Sequence, residues 1–185
     1  MKGFERENQL LSLCGLNCAL CPMELGGYCG GCGNGNQSCA IARCAMAHGN
    51  PEYCFACREY PCPEHCREEP YDSFITHQRR LADLERAREL GIEHYNREQR
   101  EKRKILDGLL AGFNDGRRKT LFCQAVNLLE LPQLRQAMER IQSEARGMDI
   151  RSAAACAAKI LEETARERGI SLKLRKQKRT KESKK

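Results

Sequence analysis

The chain has 185 residues, of which 41% are hydrophobic, 31% are charged and 13 are cysteines, and its formal net charge is +7. This length suits one ordinary domain or two small ones. Because no apolar run approaches the roughly 18 residues of a membrane-spanning helix and the N-terminus has no signal-peptide pattern, the sequence predicts a cytoplasmic protein without a membrane segment.

The cysteines are concentrated in the first part of the chain. Eleven of the 13 lie between Cys14 and Cys66, and the stretch GGYCGGCGNGNQSC holds six glycines in 14 residues. Such a segment buries too little apolar area to fold alone, so it needs a covalent or metal staple. A reducing compartment keeps thiols free, and an odd number of cysteines suits complete pairing poorly. The sequence therefore favours bound metal over a disulfide framework.

We expect residues 1–70 to form an irregular, metal-stapled head that consists of short helices and CxxC turns, called knuckles here. Ala40 to His48 has good helix formers, and Gly49 is placed to end that helix. Cys44 and His48 would then lie one turn apart on the same face. A second short helix is predicted to begin near Pro63, because proline is tolerated at the first helical position, and it would bring Cys62 and Cys66 close together.

Residues 71–170 are predicted to form an all-α helical domain, with few or no strands in the whole chain. The predicted helices run from Asp72 or Ser73 to Leu90, from about 117 to 130, from Pro132 to Gly147, and from Asp149 to about 168, with an apolar stripe over 105–113 and a turn at 114–116. The segment NREQREKRK, residues 96–104, is charged on all sides, so we expect it to be solvated.

Helical spacing selects the side chains that should face the core of this domain. They are Phe74, Leu81 and Leu84 in the first helix; Leu121, Phe122, Ala125, Val126, Leu128 and Leu129 in the next; Leu134, Met138 and Ile141 in the third; and Ile150, Ala153, Ala157, Ile160 and Leu161 in the last. Cys123 and Cys156 lie in the apolar contexts LFCQAV and AAACAA. Free cysteines in such surroundings are usually small buried hydrophobic residues.

Residues 171–185 form a basic tail with eight basic residues and one acidic residue. A segment dominated by one charge and holding only two leucines is expected to be disordered or a frayed helix. Its charge would also suit weak contact with nucleic acid, whose backbone binding depends steeply on salt. Residues 1–66 carry four basic and six acidic residues, so the head itself does not favour that contact.

The spacing of the cysteines predicts their chemistry. Three knuckles, CALC, CGGC and CFAC, each let two sulfurs converge on one ion, and two knuckles complete a tetrahedral thiolate site. The head would then hold about two or three zinc ions, since three sites need twelve ligands. The predicted ligands are Cys14, Cys18, Cys21, Cys29, Cys32, Cys39, Cys44, Cys54, Cys57, Cys62, Cys66 and His48; His65 is a further histidine within reach of this set.

Two other metal chemistries use the same ligands. A 4Fe–4S cluster also takes four thiolates, and Cys21-Pro22 and Cys62-Pro63 match the cysteine–proline endings of ferredoxin runs, although the spacing before them differs. Iron–sulfur therefore stays an alternative to zinc. The CxxxCxxC spacing of Cys14, Cys18 and Cys21 is also that of radical enzymes that use S-adenosylmethionine. Those enzymes need a large β/α barrel, which this short, helix-patterned chain does not provide.

The motifs CGLNCALCP, CGGC and CFACREYPC resemble those of a known family. It is the cysteine-rich domain-of-unknown-function family of short bacterial and archaeal proteins, whose pattern runs CGLxCxxCP, CxGC and CxxCxxYPC. The segment NDGRRKTLFCQAVNLL, from Asn114 to Leu129, is similar to one in longer members. The resemblance implies a zinc-binding head without an established activity.

No serine–histidine–aspartate set and no phosphate-binding loop is evident, so the sequence identifies no catalytic residue and leaves enzymatic activity undecided. The leading hypothesis is a non-catalytic zinc-binding protein that acts as an interaction or regulatory module with an unknown protein partner. The alternatives are an iron–sulfur protein with a redox or enzyme-subunit role, and a nucleic-acid-associated protein that uses its basic tail.

Overall fold

Helices make up all the regular secondary structure of residues 1–67 and 69–177, which are the residues that the computed structural model describes. The predicted helical character, with few or no strands, is confirmed for that part of the chain. The head contains 3₁₀ turns at Cys18–Leu20 and Cys54–Ala56 and the short helices α1 (Pro22–Leu25), α2 (Ala40–Ala47) and α3 (Pro63–Cys66).

Five longer helices follow: α4 (Arg80–Leu90), α5 (Ile92–Gly112), α6 (Lys119–Leu128), α7 (Leu131–Glu144) and α8 (Ile150–Glu167). Helix α5 packs against α4, α6 and α7, and α8 packs against α6 and α7. Their shared core contains fully buried side chains such as Leu106, Phe122 and Leu161. None of the helices in residues 1–67 and 69–177 is long and apolar enough to cross a bilayer.

The boundaries of the last three helices are close to those that the sequence predicts. Asp149 caps α8 by accepting hydrogen bonds from the N–H groups of Arg151 and Ser152 at 2.9 and 3.2 Å. Gly169 follows that helix with a φ of 67°, a value that glycine adopts without strain. The predicted inward position of Ile150 is wrong, because this residue lies at the first turn and is 49% exposed.

The predicted start of α4 at Asp72 or Ser73 is also wrong, since the helix begins at Arg80. The Asp72 carboxylate instead accepts a hydrogen bond from the His77 N–H at 2.9 Å and binds Arg175. The segment before the helix is therefore a loop. Of the apolar side chains predicted to face inward, Phe74 is 61% exposed and Leu81 is 38% exposed, and Leu84 alone is buried.

The charged segment 96–104 is not solvated on all sides, contrary to the sequence prediction. It lies within α5, and Asn96, Gln99 and Lys102 are 4%, 3% and 4% exposed. Their spacing of three residues places them on one face of the helix. That face points inward, where the Lys102 ammonium donates to the Asn127 carbonyl at 3.4 Å.

The head is attached to the helical domain through buried contacts. The Tyr95 hydroxyl donates to Asn17 Oδ1 at 2.9 Å, and Asn17 Nδ2 donates to Asp83 Oδ2 at 2.9 Å. Leu20, from the first 3₁₀ turn, is fully buried in the same core cluster as Phe122. The loop before and within the first knuckle is thus fixed to the helices that lie behind it.

The tail returns to the loop that joins head and helices. Leu172 packs against the helical core. Arg175 pairs with the buried Asp72 carboxylate at 2.7 Å, and its backbone N–H donates to the same carboxylate at 2.8 Å. Residues 178–185, the rest of the tail that the sequence predicts to be disordered, lie outside the described residues.

Candidate metal centre

The cysteines of the head fall into two neighbouring groups. The N-terminal thiol group comprises Cys14, Cys18, Cys21, Cys29 and Cys32, and the C-terminal thiol group comprises Cys44, Cys54, Cys57 and Cys62. All thirteen cysteines are described and all are free thiols. A backbone hydrogen bond of 3.1 Å from the Cys54 N–H to the Leu13 carbonyl joins the loops that carry the two groups.

In the N-terminal thiol group, the first knuckle is a 3₁₀ turn that the Cys21 N–H closes on the Cys18 carbonyl at 3.0 Å. Burial, and then the nearby thiolates of Cys14 and Cys32, raise the pKa of Cys18. Sulfurs of both knuckles of this group therefore act electrostatically on the Cys18 thiol. A metal cation would reverse this effect, because it stabilises the thiolate form.

Close contacts surround two sulfurs of the N-terminal thiol group. A Cβ atom built on Gly35 would lie 2.3 Å from Cys29 Sγ, so a larger residue there would displace the sulfur. The hydroxyl of Ser12 lies 3.2 Å from Cys14 Sγ. The Cys29 sulfur thus lies close to the backbone at Gly35, and the Cys14 sulfur lies close to the Ser12 hydroxyl.

The four cysteines of the C-terminal thiol group line one pocket, although they come from three elements of the head. Cys44 lies on α2, Cys54 and Cys57 enclose the second 3₁₀ turn, and Cys62 precedes α3. The Cys57 N–H closes its knuckle on the Cys54 carbonyl at 3.0 Å. Burial, followed by neighbouring thiolates such as Cys14, raises the pKa of the Cys54 thiol to about 12.

The other predicted ligands occupy different surroundings. Cys39 precedes α2 and packs against the small apolar cluster around Phe4. Cys66 is exposed at the end of α3, where its N–H donates to the Cys62 carbonyl at 2.9 Å, so the predicted closeness of these two residues is confirmed. These positions place Cys39 and Cys66 outside the set that lines the pocket.

His48 also lies where the helical spacing predicts. Its Nδ1 atom is 3.6 Å from Cys44 Sγ and 2.8 Å from the Cys44 carbonyl oxygen. The shorter contact is a hydrogen bond to the carbonyl in the last turn of α2, which is a common role for a histidine at a helix end. His48 lines the same pocket as the C-terminal thiol group.

The sequence did not select His65, which the structure places in this pocket. The residue is 2% exposed and its ring packs on Tyr60 with the centroids 4.9 Å apart. Burial, and then the nearby Arg80 guanidinium, lower the pKa of His65 and favour its neutral form. The sequence signal for His65 was its place between Cys62 and Cys66 on a predicted turn of helix. The burial of His65 could not be predicted in this way, because it depends on tertiary packing.

Arg80 is a second contributor that sequence patterns did not indicate. It is 4% exposed, and its guanidinium donates to the carbonyls of His65 and Arg67, both at 3.0 Å, and of Cys14 at 3.5 Å. One side chain of α4 thus holds the backbone at Cys14 and the backbone of the α3 segment that follows Cys62. A guanidinium suits this role because it carries five donors in a rigid fork.

As they stand in residues 1–67 and 69–177, no three cysteine, histidine, aspartate or glutamate side chains converge closely enough to enclose an ion. The chemistry of the donors nevertheless fits a thiophilic metal, since four cysteines and two histidines are among the residues that line the pocket. Neither of the two remaining thiols belongs to the head: Cys123 is buried in the helical core, as predicted, and Cys156 packs at its edge.

Comparison of the chain with models of known protein families, with curated proteins and with solved structures finds no match.

Proposed function

We propose that this protein binds zinc through its head, with about two ions per chain, and that the ions have a structural role. The observation that carries the proposal is the C-terminal thiol group, in which four cysteines from three separate elements line one pocket. The second ion would take four thiolates of the N-terminal thiol group, where the knuckles of Cys18 and Cys29 are neighbours.

The small core of the head supports a structural role for the metal. One cluster of buried apolar residues in the head consists of Phe4, Leu13, Ala42 and Ala45, and two of these are alanines. Zinc contributes roughly 10–16 kcal/mol to the folding of small zinc-binding peptides, which would offset this shortage of buried apolar area. A reducing compartment such as the cytoplasm would keep the thiols available.

A structural zinc protein of this kind would serve as a rigid module for interaction with another protein. Tyr71 and Phe74, on the loop between the head and α4, are 46% and 61% exposed. Aromatic residues are enriched in protein-contact surfaces relative to the rest of the protein surface. They are therefore the first residues to replace when a partner is sought.

The proposal is tested by elemental analysis and a visible spectrum of the full chain after anaerobic purification. We expect about two zinc ions per chain and no visible absorption, because zinc has a filled d shell. The presence of iron together with acid-labile sulfide would contradict zinc binding and support the iron–sulfur alternative. A protein with neither metal would overturn the proposal.

Two matched cysteine variants make the test specific to the pocket. Cys57→Ser removes one thiol of the C-terminal thiol group, whereas Cys156→Ser removes a thiol on α8, far along the chain from the head. The first variant should lose about one zinc ion per chain and the second should keep the full amount. An equal zinc content in the two variants would contradict the assignment of zinc to this pocket.

A further inference from the structure

His65 presents an unusual combination of burial and lack of pairing. It is 2% exposed, and among the described residues its Nε2 atom is buried without a hydrogen-bond partner. A buried ring nitrogen without a partner costs stability, so nearly all such groups in folded proteins are paired with protein, water or a ligand. The unpaired Nε2 atom therefore indicates that a partner belongs beside it.

The rest of the ring and its backbone are already fixed. The ring packs on Tyr60, and Nδ1 lies 3.9 Å from Cys66 Sγ. The His65 carbonyl accepts a hydrogen bond of 3.0 Å from the Arg80 guanidinium, which is itself buried. Since the backbone and one face of the ring are held, the Nε2 atom has little freedom to find a distant partner.

The pocket that His65 lines is the one that the C-terminal thiol group lines. Four thiolates bring four negative charges to one divalent ion, so each sulfur remains a strong hydrogen-bond acceptor. Donors beside a metal site orient its ligands and tune its affinity, and their loss typically costs 10–100-fold in metal binding. An N–H group in the wall of this pocket is the kind of donor that such a site uses.

We propose that His65 is a positioning residue of the C-terminal metal centre, and that its Nε2–H group donates a hydrogen bond to a cysteine thiolate once the metal is bound. This inference rests on the proposed zinc function, and it adds a donor that acts through the ligands without touching the ion. The centre then has four sulfur ligands and a buried imidazole that holds one of them in place.

Two polar substitutions separate this role from a general effect on folding. The amide nitrogen of glutamine in His65→Gln can take the place of Nε2, whereas the shorter side chain in His65→Asn places its amide near the position of Nδ1. Both replacements are uncharged and polar. His94→Asn serves as the control, because the His94 side chain is 52% exposed on α5.

Zinc affinity is measured on the full chain by competition with a chromophoric chelator. We expect His65→Asn to bind one of its ions about 10–100-fold more weakly than the wild type, while His65→Gln and His94→Asn stay within a few-fold of it. Equal affinities in the wild type, His65→Gln and His65→Asn would overturn the proposal. Equally weak zinc binding by both His65 variants would overturn it as well, since the donor that glutamine supplies at the Nε2 position would then fail to restore the affinity.

Cobalt substitution distinguishes a hydrogen-bond donor from a metal ligand. The Co²⁺ spectrum of the wild type should be that of tetrathiolate sites, and it should keep its shape in His65→Gln. If the wild-type spectrum shows nitrogen ligation and this feature is lost in His65→Gln, His65 is a metal ligand and the positioning role is overturned. A wild-type chain that binds neither Zn²⁺ nor Co²⁺ would instead overturn the proposed function itself, so the two failures are distinguishable.

Discussion

Gly15, in the motif Cys14-Gly15-Leu16, is required by the packing of the head against α4. Its φ is 100°, and a Cβ atom built on it would lie 2.1 Å from the Arg80 carbonyl oxygen and 2.9 Å from Leu84 Cβ. The first of these neighbours is backbone, which cannot move aside as a flexible side chain can. Glycine thus lets the loop of the first cysteine approach the start of α4.

Replacement of Gly15 by alanine should destabilise the protein more than the same change at Gly27. Gly27 also has a positive φ, 70°, but a Cβ atom there would meet nothing within 4 Å. Gly27→Ala should therefore cost only the roughly 1–2 kcal/mol of left-handed backbone. Gly15→Ala should cost roughly 1–3 kcal/mol more, because the added methyl group overpacks the interface.

Urea unfolding of the two variants and the wild type, followed by circular dichroism, measures this difference. The comparison removes the contribution that both positive φ values share. Equal free energies of unfolding for Gly15→Ala and Gly27→Ala would contradict a close packing of the Gly15 loop on α4.

At the scale of single residues, the sequence predicted the pairs that lie close in the chain and missed those that depend on packing. The contact between Cys44 and His48 follows from helical spacing alone. The burial of His65 does not, because it requires Tyr60 and Arg80 to meet the residue from elsewhere in the fold. The thiols that share the pocket were all predicted as ligands, but spacing could not divide them into groups.

Helix α5 shows why patterns of apolar residues are insufficient at the scale of elements. Over residues 96–104 its buried face carries Asn96, Gln99 and Lys102, so apolar periodicity gives no signal in that stretch. Burial lowers the pKa of Lys102 to about 8, although the nearby carboxylate of Asp83 acts in the opposite direction. Lys102 donates to the Asn127 carbonyl on α6, and a partner on another element is not visible in the sequence of α5.

The helices with an apolar stripe were predicted more accurately, because their buried face follows from composition. In α7, Leu134 and Ile141 are fully buried as the spacing predicts. The Glu130 N–H donates to Gln133 Oε1 at 3.0 Å, which fixes the start of that helix. Proline at its second residue also suits the first turn of a helix.

The 3₁₀ turn Cys18–Leu20 is stabilised by packing on the helical domain, since its Leu20 side chain is fully buried in the helical core. Leu20→Ala should lower the free energy of unfolding by about 2–5 kcal/mol through lost apolar contact and the cavity left behind. Leu90→Ala, at a position that is 44% exposed at the end of α4, is the matched control and should cost much less.

Both leucine variants are measured by urea unfolding of zinc-loaded protein, with zinc content determined in parallel. A loss of stability in Leu20→Ala at unchanged zinc content is the expected result. Similar stabilities of Leu20→Ala and Leu90→Ala would show that the first knuckle does not depend on the helical core.

Across the whole molecule, hydrogen bonds from the helices hold the backbone of the head. The Arg103 guanidinium on α5 donates to the Ala19 carbonyl at 2.8 Å, and Arg80 on α4 donates to the His65 carbonyl at 3.0 Å. The core of α5 to α8 contains one fully buried head residue, Leu20, whereas α4 packs on Leu11 and Tyr53 of the head in a separate cluster. The core of α5 to α8 therefore depends little on the head, whereas the backbone of the head is held by hydrogen bonds from the helices.

This asymmetry predicts a partial response to metal removal. With excess chelator under reducing conditions, the amides that close the knuckles, at Cys21 and Cys57, should lose their protection from hydrogen exchange. The amides of α7 and α8 should stay protected, and most of the helical circular dichroism signal should remain. The physical reason is that the head relies on its ligands for stability, whereas the helices keep their own apolar core.

The control is the same chelator saturated with zinc beforehand, which should change neither the exchange nor the circular dichroism. Cooperative loss of protection in α7 and α8 together with the knuckles would contradict the predicted independence of the helical core. Full retention of protection at Cys21 and Cys57 after metal removal would contradict the stabilising role of the ions. Because α5 contacts both Ala19 and the core helices, its amides should show intermediate protection, lowest near Arg103.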